Sequence, residues 1–257
     1  MPSPNLIAFD FDGVICDGLI EYFQTAWRAY CELFKPEDST PPADLADKFY
    51  PLRPVVETGW EMPVLVRALV KGASAETIVE QWPQMALPYL EEANLSKAQS
   101  VQALDGVRDR WIKNDLQSWL DLHRFYPGMV EKLGTLLASD LPVYIVSTKE
   151  GRFIDALLSQ SGVDFPKERI IGKEVKRPKY ETIRLLKQEH SVSNIWFIED
   201  RLPALRGVAE QEDLSDVELF LADWGYNLAP DRAAAGQDPR IHLLSLEKVV
   251  QGFDSWR

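Results

Sequence analysis

Several features that would point to other protein classes are scarce in this sequence. It contains only two cysteines, Cys16 and Cys31, and three scattered histidines, so it carries neither a disulfide framework nor a structural zinc site. No apolar run approaches the ~20 residues of a membrane-spanning helix. The first residues show no basic region followed by an apolar one. We therefore expect a cytoplasmic protein in a reducing compartment, without a membrane partner.

Positive charge is also in short supply. There are 28 lysines and arginines against 40 aspartates and glutamates, which gives a formal net charge of −12. The phosphates of nucleic acids and anionic lipid surfaces repel such an acidic chain. We expect a small-molecule substrate and no nucleic acid, and the oligomeric state stays open. The length of 257 residues suits one large domain or a core with one insertion.

What the sequence does contain is a short apolar run that ends in two acidic residues. Residues 6–9 predict a buried strand, and Asp10, Asp12 and Gly13 follow it. Two carboxylates this close resist joint ionisation unless a cation lies between them or one keeps a proton. One can then attack as a nucleophile while the other handles the proton. The alternative is an acidic turn without chemistry.

The two parts of the chain differ in their hydrophobic periodicity. Residues 18–123 show helical patterns and nothing typical of a strand. Further along, helices alternate with predicted strands at 142–146, 170–171, 194–198, 217–221 and 241–243. This alternation predicts an α/β fold with a doubly wound parallel sheet. Ligands of such sheets bind beyond the carboxyl ends of the strands, where Asp10, Asp12, Ser147, Thr148, Glu199 and Asp200 are expected to meet.

The segment Asp10-Phe-Asp12-Gly13-Val14 resembles the first motif of the haloacid dehalogenase superfamily, Asp-x-Asp-Gly-Thr/Val. The resemblance implies that Asp10 is the nucleophile that accepts the phosphoryl group and that Asp12 is the general acid and base. It also implies Mg²⁺ as the cofactor. A carboxylate at Asp12 argues against a dehalogenase, because cleavage of a carbon–halogen bond needs no proton on an ester oxygen.

Two later segments resemble the second and third motifs. An apolar strand closed by Ser147 resembles the second, whose hydroxyl binds phosphoryl oxygens; Thr148 is the alternative, as is a plain helix N-cap. The third motif is a lysine that opens a helix, and Lys179 after Pro178 fits it. Lys176 is the alternative lysine. The other interpretation is that Lys179 is only a solvated charge within a run of basic residues over 173–179.

The fourth motif resembles Glu199-Asp200, although family members usually show Gly-Asp or Asp-Asp there. They often carry a second Asp four residues on, where this chain has Ala204. The resemblance therefore implies that Asp10, Asp12 (through its carbonyl) and Asp200 are the metal ligands. Two roles of Glu199 stay open: it replaces part of the missing acidity, or it bonds to the metal ligands without binding the metal itself.

The resemblance implies a Rossmann-like catalytic core over 1–17 and 125–257, with an inserted all-α cap domain over 18–124. Residues 222–226 resemble a segment of phosphoglycolate-phosphatase-like members. We predict a Mg²⁺-dependent phosphatase that hydrolyses a small phosphate monoester through an aspartyl-phosphate. The alternatives are a phosphomutase and a catalytically weak binding or regulatory protein. Within the cap, Arg53 is predicted to bind a second anionic group of the substrate, or else to pair with Glu57 or Glu61.

Overall fold

The computed structural model describes residues 3–256. They divide into two units, one formed by the residues up to Asp17 together with those from Arg124 onward, and the other by residues 18–123. Among the described helices, none combines the length and the apolar character that crossing a bilayer requires.

The first unit contains a six-stranded parallel sheet with the order β5-β4-β1-β6-β7-β8. The chain runs outward from β1 on one side through β4 and β5, and on the other side through β6, β7 and β8. The carboxyl end of β1 is thus the point where the strand order reverses, which is where ligands of such sheets bind. The strands are β1 (Leu6–Phe9), β2 (Cys16–Asp17), β3 (Arg124–Phe125), β4 (Val143–Val146), β5 (Ile170–Ile171), β6 (Ile195–Glu199), β7 (Glu218–Ala222) and β8 (Ile241–Leu244).

Apolar strands explain why this sheet is buried between helices. Every residue of β1 and β4 is buried, as expected for parallel strands that are covered on both faces. Leu6, Ala8, Phe197 and Leu219 pack in one cluster with apolar residues of the surrounding helices, such as Ile183 of α9. With α1–α6 lying in the second unit, the helices here are α7 (Met129–Leu137), α8 (Gly151–Gln160), α9 (Lys179–His190), α10 (Leu202–Ala209), α11 (Ala229–Ala235) and α12 (Leu246–Val249).

Helices are the regular elements of the second unit, residues 18–123, and loops such as residues 35–44 connect them. Its interior includes the fully buried Glu21, whose carboxylate accepts hydrogen bonds from Thr25, Arg108 and Trp119. This buried charge is therefore both paired and hydrogen-bonded, as burial requires. The helices are α1 (Leu19–Phe34), α2 (Leu45–Phe49), α3 (Glu61–Val70), α4 (Ala75–Glu91), α5 (Lys97–Asn114) and α6 (Leu116–Leu120).

One local expectation about these helices was wrong. Periodicity predicts one helix from Ser96 to about residue 123, but it breaks at Asp115, whose φ of −156° and ψ of 77° lie outside the helical region. The Asp115 side chain accepts from the Ser118 amide and begins a new helix. Pro83 and Pro88 are predicted to bend or divide a helix, and α4 runs through both without being divided. Both prolines are exposed, where water can bond the carbonyls that lose a partner.

Candidate active site

The site is built around Asp10, which directly follows β1. Its amide donates a 2.8 Å hydrogen bond to the carbonyl of Ile198 in β6, which holds the residue at the end of the sheet. Its side chain is buried. The chain then turns away through Gly13, whose φ of +82° is a conformation that favours glycine. The turn leaves the Asp10 carboxylate beside the carboxyl end of the neighbouring strand.

Three buried carboxylates meet at this point. One oxygen from each of Asp10, Glu199 and Asp200 lies within 4.8 Å of the others. Burial raises the pKa of Asp10 to about 7, an increase that Lys179 opposes and that Glu199 adds to. Burial and the same acidic neighbours also raise the pKa of Asp200 well above its usual value. The chain itself supplies too little positive charge to balance these three carboxylates.

Lys179 supplies one positive charge to this group. It is the first residue of α9, and its Nζ lies 3.0 Å from Asp10 Oδ1 and 2.5 Å from Glu199 Oε2. Burial disfavours the ammonium, but the ion pairs with Asp10 and Glu199 outweigh burial and raise the pKa of Lys179. The side chain therefore stays charged next to Asp10. Lys176 is exposed, and among the described residues it forms no ion pair with the acids of this group; it lines a cavity that Lys179 also lines.

Glu199 is bonded through both of its carboxylate oxygens. Oε2 accepts from Lys179, while Oε1 accepts from the amides of Asp200 and Arg201 at 3.1 and 2.9 Å. Glu199 thus ties the start of α9 to the loop that carries Asp200.

Ser147 and Asp12 are connected by a lysine. Ser147 is buried at the end of β4, and its Oγ accepts the amide of Lys149 at 3.3 Å. The Lys149 ammonium lies 3.1 and 3.2 Å from the two carboxylate oxygens of Asp12. Thr148, which lies between Ser147 and Lys149 in sequence, is exposed. The carboxylate of Asp12 is therefore held apart from the cluster of three acids.

The loop after β7 fixes Asp200. The amide of Tyr226 donates to Asp200 Oδ2 at 2.7 Å, and Asn227 Nδ2 donates to the Asp200 carbonyl at 3.0 Å. Glycines make this close approach possible, because a Cβ on Gly13 would lie 2.1 Å from Asp200 Oδ2 and one on Gly225 2.3 Å from Asp200 Cβ. The loops after β1, β6 and β7 are thus packed against one carboxylate.

The residues fit a divalent metal with oxygen ligands. Asp10 Oδ1 is buried, and although an ammonium is nearby it forms no hydrogen bond within the described residues. Asp200 Oδ1 and Asp10 offer the hard, charged oxygens that Mg²⁺ prefers. A cation would also offset the burial and the neighbouring negative charges, Glu199 above all, that raise the pKa values of both acids.

Comparison with known proteins shows the family of this chain. The family model described as "Hydrolase: haloacid dehalogenase-like hydrolase" matches residues 4–209. The chain belongs to this family. No curated protein matches it.

Solved structures share the fold of this hydrolase at low sequence identity. A haloacid dehalogenase-like family hydrolase from Streptococcus pneumoniae has a TM-score of 0.56 at 17% identity, with 94% of each chain covered. A predicted phosphatase from Clostridium acetobutylicum has a TM-score of 0.61 at 16% identity, with 97% of each chain covered. A predicted phosphoglycolate phosphatase from Haemophilus somnus has a TM-score of 0.58 at 14% identity, with 88% of each chain covered. These likenesses show the fold.

Sequence reasoning about the hydrolase missed three residues of the site. Lys149 follows two hydroxyl residues after a predicted strand, which is a recognisable signal for a charged group at the strand end. Tyr226 contacts Asp200 through its backbone amide, and Asn227 does so through its side-chain amide, which donates to the Asp200 carbonyl. No sequence motif identifies contacts of this kind, although the resemblance of residues 222–226 to a family segment marks the loop.

Arg53 lies in the helical unit, in the short turn of Tyr50–Val55. Its guanidinium lies over the Tyr22 ring, 4.7 Å from the centroid, and donates to the carbonyl of Val56 at 3.1 Å. Glu61 accepts the amides of Glu57 and Thr58. These contacts hold Arg53 in one direction, and its role toward a substrate stays a prediction.

Proposed function

We propose that this hydrolase is a Mg²⁺-dependent phosphatase that acts on a small phosphate monoester through an aspartyl-phosphate on Asp10. One observation carries the proposal: the Asp10 carboxylate lies buried between a lysine ammonium and two further acids at the reversal point of the sheet. Two proteins of similar fold are described as a predicted phosphatase and a predicted phosphoglycolate phosphatase, which supports the same chemistry here.

In the first step a carboxylate oxygen of Asp10 attacks phosphorus, and the bond between phosphorus and the ester oxygen breaks. Asp12 gives a proton to the departing oxygen, which leaves as an alcohol. In the second step water attacks the same phosphorus and returns its proton to Asp12, so that inorganic phosphate leaves and Asp10 is restored. Ser147 and Lys179 bind the oxygens of the transferring group and stabilise its charge.

Asp10 and Asp200, with the carbonyl of Asp12, would hold the Mg²⁺. When bound, the ion offsets the negative charge of the nucleophile and the phosphoryl group. Glu199 is left to hold Lys179, because its two oxygens already accept three hydrogen bonds. Because Ala204 stands where family members often have a second Asp, the chain itself supplies few ligands to the metal.

The two units have separate tasks in this proposal. The sheet unit carries every residue named above, and we assign it, over 1–17 and 125–257, as the catalytic core. The helical segment 18–124 is assigned as the cap that selects the substrate. Both cysteines are free, which suits a cytoplasmic enzyme.

The test is the hydrolysis of a generic aryl phosphate with and without Mg²⁺, by the wild type and by Asp10→Asn. We expect Mg²⁺-dependent turnover by the wild type and less than a few per cent of it in the variant. Borohydride reduction of the quenched wild type should convert Asp10 to homoserine, which identifies the acyl phosphate. The matched control is Asp44→Asn, because Asp44 is an exposed acid of the helical unit. Full activity in Asp10→Asn would contradict the covalent mechanism.

A further inference from the structure

A cavity of about 290 Å³ lies beside the proposed phosphoryl site, within the sheet unit. Ser147 and Lys179 form part of its lining, and so do three further basic residues, Lys173, Lys176 and Arg177. We call this cavity the basic pocket. It is continuous with the proposed catalytic groups because it shares two of them.

The charge of the basic pocket is unusual for this chain. Its lining holds no acidic residue, although the chain as a whole has a net charge of −12. Glu174, the acid within this segment, instead accepts the amide of Gly151 at 3.1 Å. Among the described residues, Lys173, Lys176 and Arg177 form no ion pair within 4.0 Å, whereas Lys179 has two. A group of like charges without partners attracts an anion.

Arg177 is held in a direction that suits such an anion. Its Nε donates a 3.0 Å hydrogen bond to Oγ1 of Thr182, a buried residue in the first turn of α9 that also lines the pocket. A guanidinium has five N–H donors, so this bond leaves the rest of the fork for a planar or tetrahedral oxyanion. The start of α9 adds the positive end of a helix dipole.

We propose that the substrate carries a second anionic group, a carboxylate or a second phosphate, which binds in the basic pocket while its phosphoryl group lies at Asp10. This inference rests on the proposed function and narrows its substrate class to small phosphate esters with two anionic groups. The shared lining at Ser147 and Lys179 requires the two groups to be close together in the molecule. Arg177 and Lys176 are specificity-determining residues in this proposal.

The test compares three esters that share one alkyl chain: propyl phosphate, its relative with a terminal carboxylate, and its relative with a second terminal phosphate. For the wild type we expect kcat/KM at least about tenfold higher for one of the two doubly anionic esters, a preference of about 1.4 kcal/mol. Lys176→Gln and Arg177→Gln should each reduce that preference about tenfold, chiefly through KM. Which ester is preferred distinguishes a carboxylate from a phosphate.

Two variants serve as references. Lys167→Gln removes the same charge from an exposed lysine of the same unit, which lies outside the pocket lining, and should keep the preference. Arg177→Lys keeps the charge but loses the fork, so partial recovery of the preference would assign the remainder to bidentate binding. Higher ionic strength should weaken the preference, because the three basic residues are exposed.

Binding measurements separate this inference from the phosphatase proposal. Calorimetry with propylphosphonate and its relatives that carry a terminal carboxylate or a second phosphonate, none of which can be hydrolysed, should show tighter binding of at least one doubly anionic compound, and Lys176→Gln should abolish the difference. If no ester is turned over but this difference is present, the phosphatase proposal fails and the pocket stands. If the esters are hydrolysed but the pocket variants change all three alike, the pocket proposal is overturned and the phosphatase stands.

Discussion

Asp10 and Asp12 are two residues apart in sequence but lie in different electrostatic surroundings. Asp10 is buried among acids and beside Lys179, whereas Asp12 pairs with Lys149. Similar pairs of acids divide the work of nucleophile and acid/base in other enzymes when their environments differ. This separation makes the roles of the two acids testable one at a time.

Replacement of Asp12 by alanine should slow turnover by about 10²- to 10⁴-fold, the usual contribution of a positioned acid or base. The reason is the loss of proton delivery to the leaving oxygen. Aryl phosphates with good leaving groups need little protonation, so the first step should suffer least for them. A leaving-group series measured by rapid quench tests this, and equal losses across the series would assign Asp12 to metal binding instead.

Glu199→Gln should lower kcat/KM by about 10- to 100-fold, since a charge-assisted hydrogen bond is worth roughly 1.5–3 kcal/mol. The amide keeps one acceptor for the backbone but loses the ion pair with Lys179. The Mg²⁺ concentration for half-maximal activity should change little, because Glu199 is not assigned as a ligand. A large rise in that concentration would show that Glu199 binds the metal.

The sequence alone did not identify the site lysine or the role of Glu199. A motif identifies a lysine at the start of a helix, but four basic residues lie between 173 and 179. Only packing distinguishes Lys179, whose ammonium is buried against Asp10, from Lys176, which is exposed. The role of Glu199 was likewise open, because its bond to Lys179 joins residues 20 positions apart. Such contacts depend on the folded sheet, which periodicity does not describe in atomic detail.

At the scale of the elements, the turn after β1 depends on Gly13. Gly13→Ala should abolish activity, because the new Cβ would lie 2.1 Å from Asp200 Oδ2 and the φ of +82° adds roughly 1–2 kcal/mol of strain. Gly162→Ala is the matched control: its φ is +81°, and its Cβ would meet nothing within 4 Å. The control should lose some thermal stability and keep its kcat. Equal loss of activity in both variants would contradict the clash with Asp200.

Within the helical unit, α1 and α5 are joined by the ion pair of Glu21 and Arg108. Arg108→Met should destabilise the protein by about 3–5 kcal/mol, the typical cost of leaving a buried charge without its partner. The double variant with Glu21→Gln should recover part of the loss, because the buried charge is then gone. Denaturant unfolding measures both. A loss below about 1 kcal/mol for Arg108→Met would show that water reaches Glu21.

The elements themselves were the best-predicted level. Alternating apolar strands and helices predict the doubly wound sheet, and the structure confirms that fold class. The predicted strands at 142–146 and 194–198 agree with β4 and β6 to within a residue. The errors fall where a single side chain determines the end of a helix, as at Asp115, which caps a new helix. Strands β2 and β3 were missed because each has only two residues and one of the two is charged, so neither forms an apolar run like the equally short β5.

At the scale of the whole molecule, the acid cluster should couple stability to pH and to Mg²⁺. The pKa of Asp10 is raised to about 7 in the folded protein, above its usual 3.8, so the folded state holds more protons between those values. Its contribution to the free energy of unfolding is therefore full at low pH and is lost as pH rises through about 7. Asp200 acts in the same direction.

Asp10→Asn isolates this contribution, because its amide resembles the protonated acid at every pH. Without Mg²⁺, the variant and the wild type should unfold at similar temperatures near pH 4, and the variant should become the more stable of the two as pH approaches 8. With Mg²⁺ at pH 8 the order should reverse, since the ion binds the carboxylate and stabilises the wild type by mass action. Thermal unfolding of both proteins across pH, with and without Mg²⁺, measures all of this. A difference between them that stays constant from pH 4 to pH 8 in both conditions would mean that Asp10 neither titrates in this range nor binds the metal.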